Sequence, residues 1–364
     1  MKILVTNADF AERAGTQLYT RDLALELRRR GHSPFVYSPV LGEAAEALRS
    51  ATIPVVDDLA SLSTAPDLIH GQHHLETLTA LLHFPGVPAV YFCHGWLPWE
   101  EAPPRFPRIF RYVAVDHTVR DRLVFEHGIP EDKIRVILNF VDLQRFVRRG
   151  PLPPKPVRAL VLSNYAREND GLVAVREACA RAGIRVEVAG AGVGRPSAEP
   201  EKLLSGYDLV FAKARSAMEA MAVGAAVVLC DRGKAGPMVT SGEFERLRRA
   251  NFGIRELVDP ISVDALLREI RRYDAADAAK VSALVRSSSG LEAAVTEIED
   301  LYRETLEEAG RSAPAGPAAE FRAAAAYLKG LSLRVRDYEH TRAHLAAARR
   351  GALERIKSFL SRSR

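Results

Sequence analysis

Tyr207-Asp-Leu-Val-Phe-Ala-Lys-Ala-Arg-Ser-Ala-Met-Glu-Ala-Met-Ala-Val-Gly-Ala-Ala-Val-Val-Leu-Cys230 is the stretch that decides the fold of this 364-residue chain. Leu209, Val210 and Phe211 form a short run of strand character. A turn with two cations, Lys213 and Arg215, opens a helix over 215–223 that ends in Glu-Ala-Met-Ala-x-Gly. Residues 226–229 then read as a buried strand. Strand, turn, helix and strand in so few residues make a parallel βαβ unit.

The same rhythm extends in both directions. Downstream of a proline-rich break it runs through 159–162, a helix over 171–182, 186–189 and the decisive segment. Upstream it runs through 2–5, a helix over 15–30, 35–37, 68–70, 89–94, 112–115 and 134–138. The first helix places Tyr19, Leu23 and Leu27 on one stripe and stops at Arg30-Gly31, a glycine after a basic last turn. Arg149-Gly-Pro-Leu-Pro-Pro-Lys-Pro156 cannot continue a helix or a central strand, so the domain linker is placed there. The organisation expected is an N-terminal Rossmann-like domain over 1–150, a C-terminal one over 157–310, and a basic helical tail over 320–364.

Composition agrees with an α/β chain of two domains: 47% hydrophobic, 7% aromatic, 24 Gly and 21 Pro. Cys93, Cys179 and Cys230 are scattered in apolar segments without metal-type spacing and read as buried thiols. The net charge of +5 belongs to the tail, where eleven Lys/Arg face four Asp/Glu from 320 to 364. The remainder is close to neutral and lacks the basic stripe of a nucleic-acid binder, so nucleic acid is excluded as a partner. No apolar run is long enough to span a bilayer and no signal-like stretch opens the chain, which points to the cytoplasm. In the tail, Phe321, Leu328 and Val335 recur every seven residues, beside a second series of Leu331, Tyr338, Leu345, Ala352 and Phe359. The reading favours a helix that packs on the N-terminal domain or pairs with a second copy. Peripheral contact with the inner face of a membrane ranks below these, because alanine alternating with charge is poor in large apolar residues.

Several of these stretches together resemble the family 4 glycosyltransferases of GT-B fold, over roughly residues 1–300. Arg13-Ala-Gly-Thr-Gln-Leu-Tyr with the helix to Arg-Gly-His32 resembles the family's glycine loop and first helix. Residues 66–74, Tyr91-Phe-Cys-His-Gly95, 113–130 and Lys133-Ile-Arg-Val-Ile-Leu-Asn-Phe-Val-Asp142 resemble its strands and interdomain corner. The fold implied is two Rossmann-like domains facing across a cleft. The activity implied is transfer of a sugar from a nucleoside-diphosphate sugar to a glycan, lipid-linked or small-molecule acceptor, with retention and without a metal or other cofactor.

The same resemblance implies a set of site residues. Gly15 and His94 fall at the reacting centre, a glycine where backbone meets the donor closely and a neutral imidazole for a sugar hydroxyl. Glu219 matches the second glutamate of the family's Glu-x7-Glu, which accepts the ribose hydroxyls, while Phe211 replaces the first. Asp170 stands where the family puts lysine, so the phosphate cations are expected at Lys213 and Arg215, with Arg167, Ser216, Gly190 and Gly236 also near the donor. Trp96, Trp99 and His73 are the acceptor-side candidates. A metal held by His70, His73 and His74 lacks a completing ligand set. The alternatives are a nucleotide-sugar 2-epimerase of the same fold, needing carboxylates and histidines in the cleft, and a scaffold that has lost donor binding.

Overall fold

The structure, a computed structural model, describes residues 1–11, 14–197 and 199–362. Arg13, where the glycine-loop stretch begins, lies outside them, as do the side-chain surroundings of Asp170 and of 346–362. The N-terminal sheet comprises β1 (Lys2–Thr6), β2 (Ser33–Tyr37), β3 (Val55–Val56), β4 (Leu68–Gln72), β5 (Ala89–Cys93), β6 (Ile109–Ala114) and β7 (Ile134–Val136). Its order is β3-β2-β1-β4-β5-β6-β7 and every pairing is parallel. Strand order reverses between β1 and β4, the switch point beside which open α/β sheets leave a crevice at their carboxyl ends.

The C-terminal sheet contains β8 (Arg158–Leu162), β9 (Arg185–Ala189), β10 (Leu209–Ala212), β11 (Ala226–Asp231), β12 (Lys234–Met238) and β13 (Asp259–Pro260), in the order β13-β12-β11-β10-β8-β9. Four strands are parallel, as the rhythm predicts, but β12 runs antiparallel to both its neighbours. Gly233-Lys-Ala-Gly-Pro-Met238, which contains Gly236, is largely this strand. The decisive segment folds as β10, a helix Ala214–Val223 capped by Gly224 at φ 98°, and β11. Phe211 is fully buried in the C-terminal core.

The chain changes domain earlier than the prolines suggest. Phe140 belongs to the N-terminal core, whereas Val141 and Phe146 belong to the C-terminal one. The return crossing lies alongside: Val141 N–H donates to Ser289 O at 2.8 Å and Leu291 N–H to Val141 O at 2.9 Å. Beyond it, the return helix Leu291–Arg311 sinks Val295, Ile298, Leu301 and Tyr302 into the N-terminal core. Residues 291–310 therefore pack with the first domain rather than with the range 157–310 in which sequence placed them. The amphipathic pattern shows that a face must be buried, not against which domain.

A terminal helix, Pro317–Arg362, follows. Glu320 pairs with Arg108 at 2.8 Å, and Ala323 and Tyr327 pack on the N-terminal core, so the tail docks there by its first turns. The three cysteines are buried and unpaired. Among the described residues no helix is long and apolar enough to cross a membrane.

Because Tyr302 is a fully buried ring whose hydroxyl pairs with His70, Tyr302→Ala should cost about 3–5 kcal/mol in urea unfolding. A cost below about 1 kcal/mol would mean that the return helix is not part of the core.

Candidate active site

The carboxyl ends of β1, β4 and β5 converge on a buried polar group. His94 follows β5 and is steered by Glu101, whose Oε2 accepts the His94 backbone N–H at 2.7 Å. The other oxygen, Oε1, lies 3.6 Å from His73 Nε2. His73 Nδ1 accepts the Ala8 N–H at 2.9 Å, which leaves the ring proton on Nε2, on the side of Glu101. Tyr19, from the first helix Gly15–Arg29, meets His94 edge-on at 4.4 Å. His94 Nε2 is buried and has no hydrogen-bond partner. An orphaned ring nitrogen at a strand end is an unmet demand, the kind a bound hydroxyl satisfies.

Burial sets the protonation of the group. It holds the His94 imidazole down to about 3 and those of His73 and His74 to about 4, so all three are neutral near pH 7. It pushes the Glu101 carboxyl up to about 7, with the His94 amide and Arg122 opposing. A carboxyl that titrates near neutrality beside a neutral histidine can accept or give a proton under ordinary conditions.

Across the cleft, the helix Ala214–Val223 presents its first turn. Arg215 Nη2 pairs with Asp22 of the first helix, and Arg215 Nε donates to Glu219 Oε1 at 2.8 Å. Asp22 also accepts from Arg21 Nε at 2.9 Å. Burial works against all these charges. The two carboxylates nevertheless raise the Arg215 pKa, and the arginines hold Asp22 below the usual carboxylate range. For Glu219 burial prevails and its pKa is raised. Lys213 lies 3.2 Å from Asp231 Oδ2, and Asp231 Oδ1 accepts Ser163 Oγ at 2.5 Å. Arg232 stacks on Tyr165 at 3.6 Å. Ala214 at φ 50°, Arg232 at φ 48° and His73 at φ 59° are three of the six described non-glycine residues at positive φ, so backbone strain gathers at this cleft.

These contacts revise several sequence expectations. Lys213 and Arg215 do flank the turn, but each is matched by a carboxylate, and Glu219 is engaged by Arg215 rather than open. Gly190 is explained within the chain: at φ 143°, a Cβ there would lie 1.9 Å from Ser163 O. Gly236 is likewise fixed by Glu256 O, 2.5 Å from its would-be Cβ. A Cβ on Gly15 meets nothing within 4 Å, so the chain itself leaves open the space before the first helix. Arg167 is exposed and shares a depression with Ser163, Tyr165 and Asn169, while Ser216 is half-buried in the helix's first turn, where N–H groups lack intrahelical acceptors.

On the acceptor side, Trp96 is 41% exposed and available. Trp99 is not: its ring lies edge-on to His74 at 4.4 Å, under Arg334 of the terminal helix at 5.7 Å. The clustered histidines separate, His70 to Tyr302 at 2.6 Å and His74 to the Tyr327 hydroxyl. Among the described residues no group of three His, Cys, Asp or Glu could hold a metal ion. Asp142 caps the corner, accepting Gln144 N–H at 3.0 Å and Arg145 N–H at 3.1 Å. Sequence reasoning missed Glu101 and Asp22. Asp22 and Glu26 sit at i and i+4 beside Tyr19 and Leu23, and carboxylates on a buried stripe announce that they need partners.

Residues 13–145 match the family model described as Glycosyltransferase Family 4. The match lies within the N-terminal domain. None of the curated proteins matches the sequence. Among solved structures, a glycosyltransferase from Rickettsia africae is similar at 16% identity and TM-score 0.61, over 84% of this chain and 98% of that one. HepE of Anabaena, in complex with UDP and glucose, is similar at 17% identity and TM-score 0.58, over 84% and 100%. A putative UDP-N-acetylglucosamine 2-epimerase from Listeria monocytogenes is similar at 14% and TM-score 0.52, over 84% and 97%. Over the part that these structures cover the chain thus has the GT-B fold, and Tyr19, His73, His94 and Glu101 lie inside the segment that the family model matches.

Between about pH 4.5 and about 7 the folded protein keeps a proton on Glu101 that the unfolded chain releases. This contribution favours folding in acid and is lost as pH rises through about 7. His73, His74 and His94 act oppositely: their contribution is present above 6.5 and is lost as pH falls toward 4. Glu101→Gln removes only the first effect. Its stability relative to wild type should rise by up to about 3 kcal/mol between about pH 5 and about pH 8 in urea titrations. A constant difference would show that Glu101 titrates as an ordinary carboxyl.

Proposed function

We propose that the chain is a glycosyltransferase that moves a sugar from a nucleoside-diphosphate sugar to a hydroxyl acceptor held by the N-terminal domain. The observation that carries this reading is His94: a neutral imidazole with a buried, unpartnered Nε2, at a strand end inside the family 4 segment and facing the GT-B cleft. It hydrogen-bonds a donor-sugar hydroxyl and steadies charge at the reacting carbon. The neighbour that holds UDP and glucose supports a nucleotide-sugar donor.

In this reading the diphosphate enters at the first turn of the helix Ala214–Val223, where Lys213, Arg215 and the N–H groups at Arg215 and Ser216 meet its charge without a metal. Arg215 exchanges Asp22 for phosphate, and Glu219, released from Arg215, accepts the ribose hydroxyls. Transfer proceeds with retention. The C1–O bond to phosphate breaks as the acceptor oxygen bonds C1 on the same face, and the leaving phosphate takes the acceptor proton. Trp96 offers a stacking surface to the acceptor, a glycan, lipid-linked or small molecule. Use of a nucleotide sugar fits a cytoplasmic location.

One observation favours a second reading. Glu101 and His73 form the carboxyl and histidine pair that a nucleotide-sugar 2-epimerase requires, and the Listeria neighbour is described as such an epimerase.

Incubation with UDP-, GDP- and dTDP-sugars distinguishes the readings. Nucleotide release only when acceptor is added supports transfer, an epimerised donor supports the second reading, and no thermal shift with any nucleotide overturns both. Arg215→Ala and Glu219→Ala should each weaken nucleotide binding by about tenfold or more. Undiminished binding in Glu219→Ala would sink the ribose placement.

A further inference from the structure

The terminal helix is docked for only part of its length. Past Arg334, which stacks on Trp99, every described residue to Leu345 is exposed. Residues 332–362 of the helix correspond to a rod of about 46 Å. Five large apolar side chains of the terminal helix share one stripe: Phe321, Leu328 and Val335 repeat at seven-residue steps from the docked turns into the rod, Tyr338 and Leu345 continue the neighbouring column, and all five are 52–71% exposed, while exposed Leu333 lies off the stripe. A soluble helix that leaves such a stripe to water has an occupant for it.

Charge decides which occupant. Immediately beside the first apolar column Arg322, Lys329 and Arg336 form a second seven-residue column, and in the sequence the same spacing continues through Ala343 to Arg350 and Lys357. The tail from 320 to 364 carries eleven Lys/Arg against four Asp/Glu. A second copy of the helix fits badly, because the Phe321, Leu328, Val335 column continues as Arg342 and Arg349, which would face their own images across a paired seam. An anionic lipid surface accepts the same arrangement. Apolar side chains enter the acyl boundary, and flanking arginines and lysines extend their charged ends to the headgroups. The alanine-rich spacing that disfavours such a helix in the sequence is answered by Val335, Tyr338 and Leu345 falling on one uncovered stripe.

We infer that the projecting part of the terminal helix is a lipid-binding element that lays the protein on an anionic membrane surface. Its root is the Trp99 loop on the acceptor side of the cleft, so it anchors the N-terminal domain first. The inference does not rest on the proposed activity.

Vesicle co-sedimentation of the full chain tests it, with phosphatidylcholine alone against an equal mixture with phosphatidylglycerol. About tenfold more protein should pellet with the anionic vesicles, and most of it should be released when salt rises from about 0.1 M to about 1 M. Val335→Asp with Tyr338→Asp and Leu345→Asp should abolish pelleting, and Arg336→Glu with Arg350→Glu and Lys357→Glu should remove the preference for anionic lipid. Both sets lie on the projecting part of the helix and should leave the thermal midpoint unchanged. Equal binding to both vesicle types, or a dimer in light scattering that the aspartate variants dissociate while wild type ignores vesicles, would overturn the inference.

Discussion

A guanidinium buried between two carboxylates has few places to go, and in this protein the carboxylates come from different domains. Arg215 is tied to Glu219 one turn along its own helix and to Asp22 on the first helix of the opposite domain. Removing either acid would leave a buried charge without its full complement, which is far costlier than losing an exposed pair. The pair therefore fixes how the cleft edge is closed, where the first turn of the helix Ala214–Val223 points, and which groups a phosphate would have to displace. On the far side of the interface Arg248 donates to Asn139 O at 2.6 Å and His117 N–H to Arg249 O at 2.9 Å. Together with the paired crossings at Val141 and Gly290, the two domains are held at three places around one cleft.

The chemistry of the N-terminal half depends on a different constraint, the dryness of its floor. Tyr302 arrives from the return helix and takes His70, Glu101 takes the His94 backbone, and Ala8 takes His73. Each partner fixes a tautomer or an orientation, and burial keeps the imidazoles neutral. The Nε2 atoms of His70, His74 and His94 are left without a partner, and of these His94 stands at the end of β5. The docked terminal helix brings Tyr327 to the neighbouring His74 and Arg334 over Trp99, which stays half-buried.

Much of the architecture was legible along the chain. Short apolar runs alternating with 3.6-period stripes settled the strands, their parallel pairing and the two-domain plan, because backbone periodicity is local. The segment around Glu219 was correctly read as strand, turn, helix and strand for the same reason. The antiparallel strand β12 escaped, since Lys234-Ala-Gly-Pro-Met238 has neither a long apolar run nor an alternation to mark it. Gly190 and Gly236 were read as ligand contacts, but their need for a bare Cα comes from Ser163 and Glu256, residues distant in sequence.

The sequence by itself determined most of the elements, the fold class, the inward face of the first helix and the residues from which a site can be built. Tertiary structure alone decided partnership. Arg215 and Asp22 are 193 residues apart, and His70 and Tyr302 are 232 apart. Whether a cation near a phosphate-binding turn is free or already neutralised depends on what folding brings within a few ångströms, and no local pattern encodes that distance. The return helix shows the same limit: its apolar stripe was written in the chain, but the domain that buries it was chosen by the crossing at Gly290.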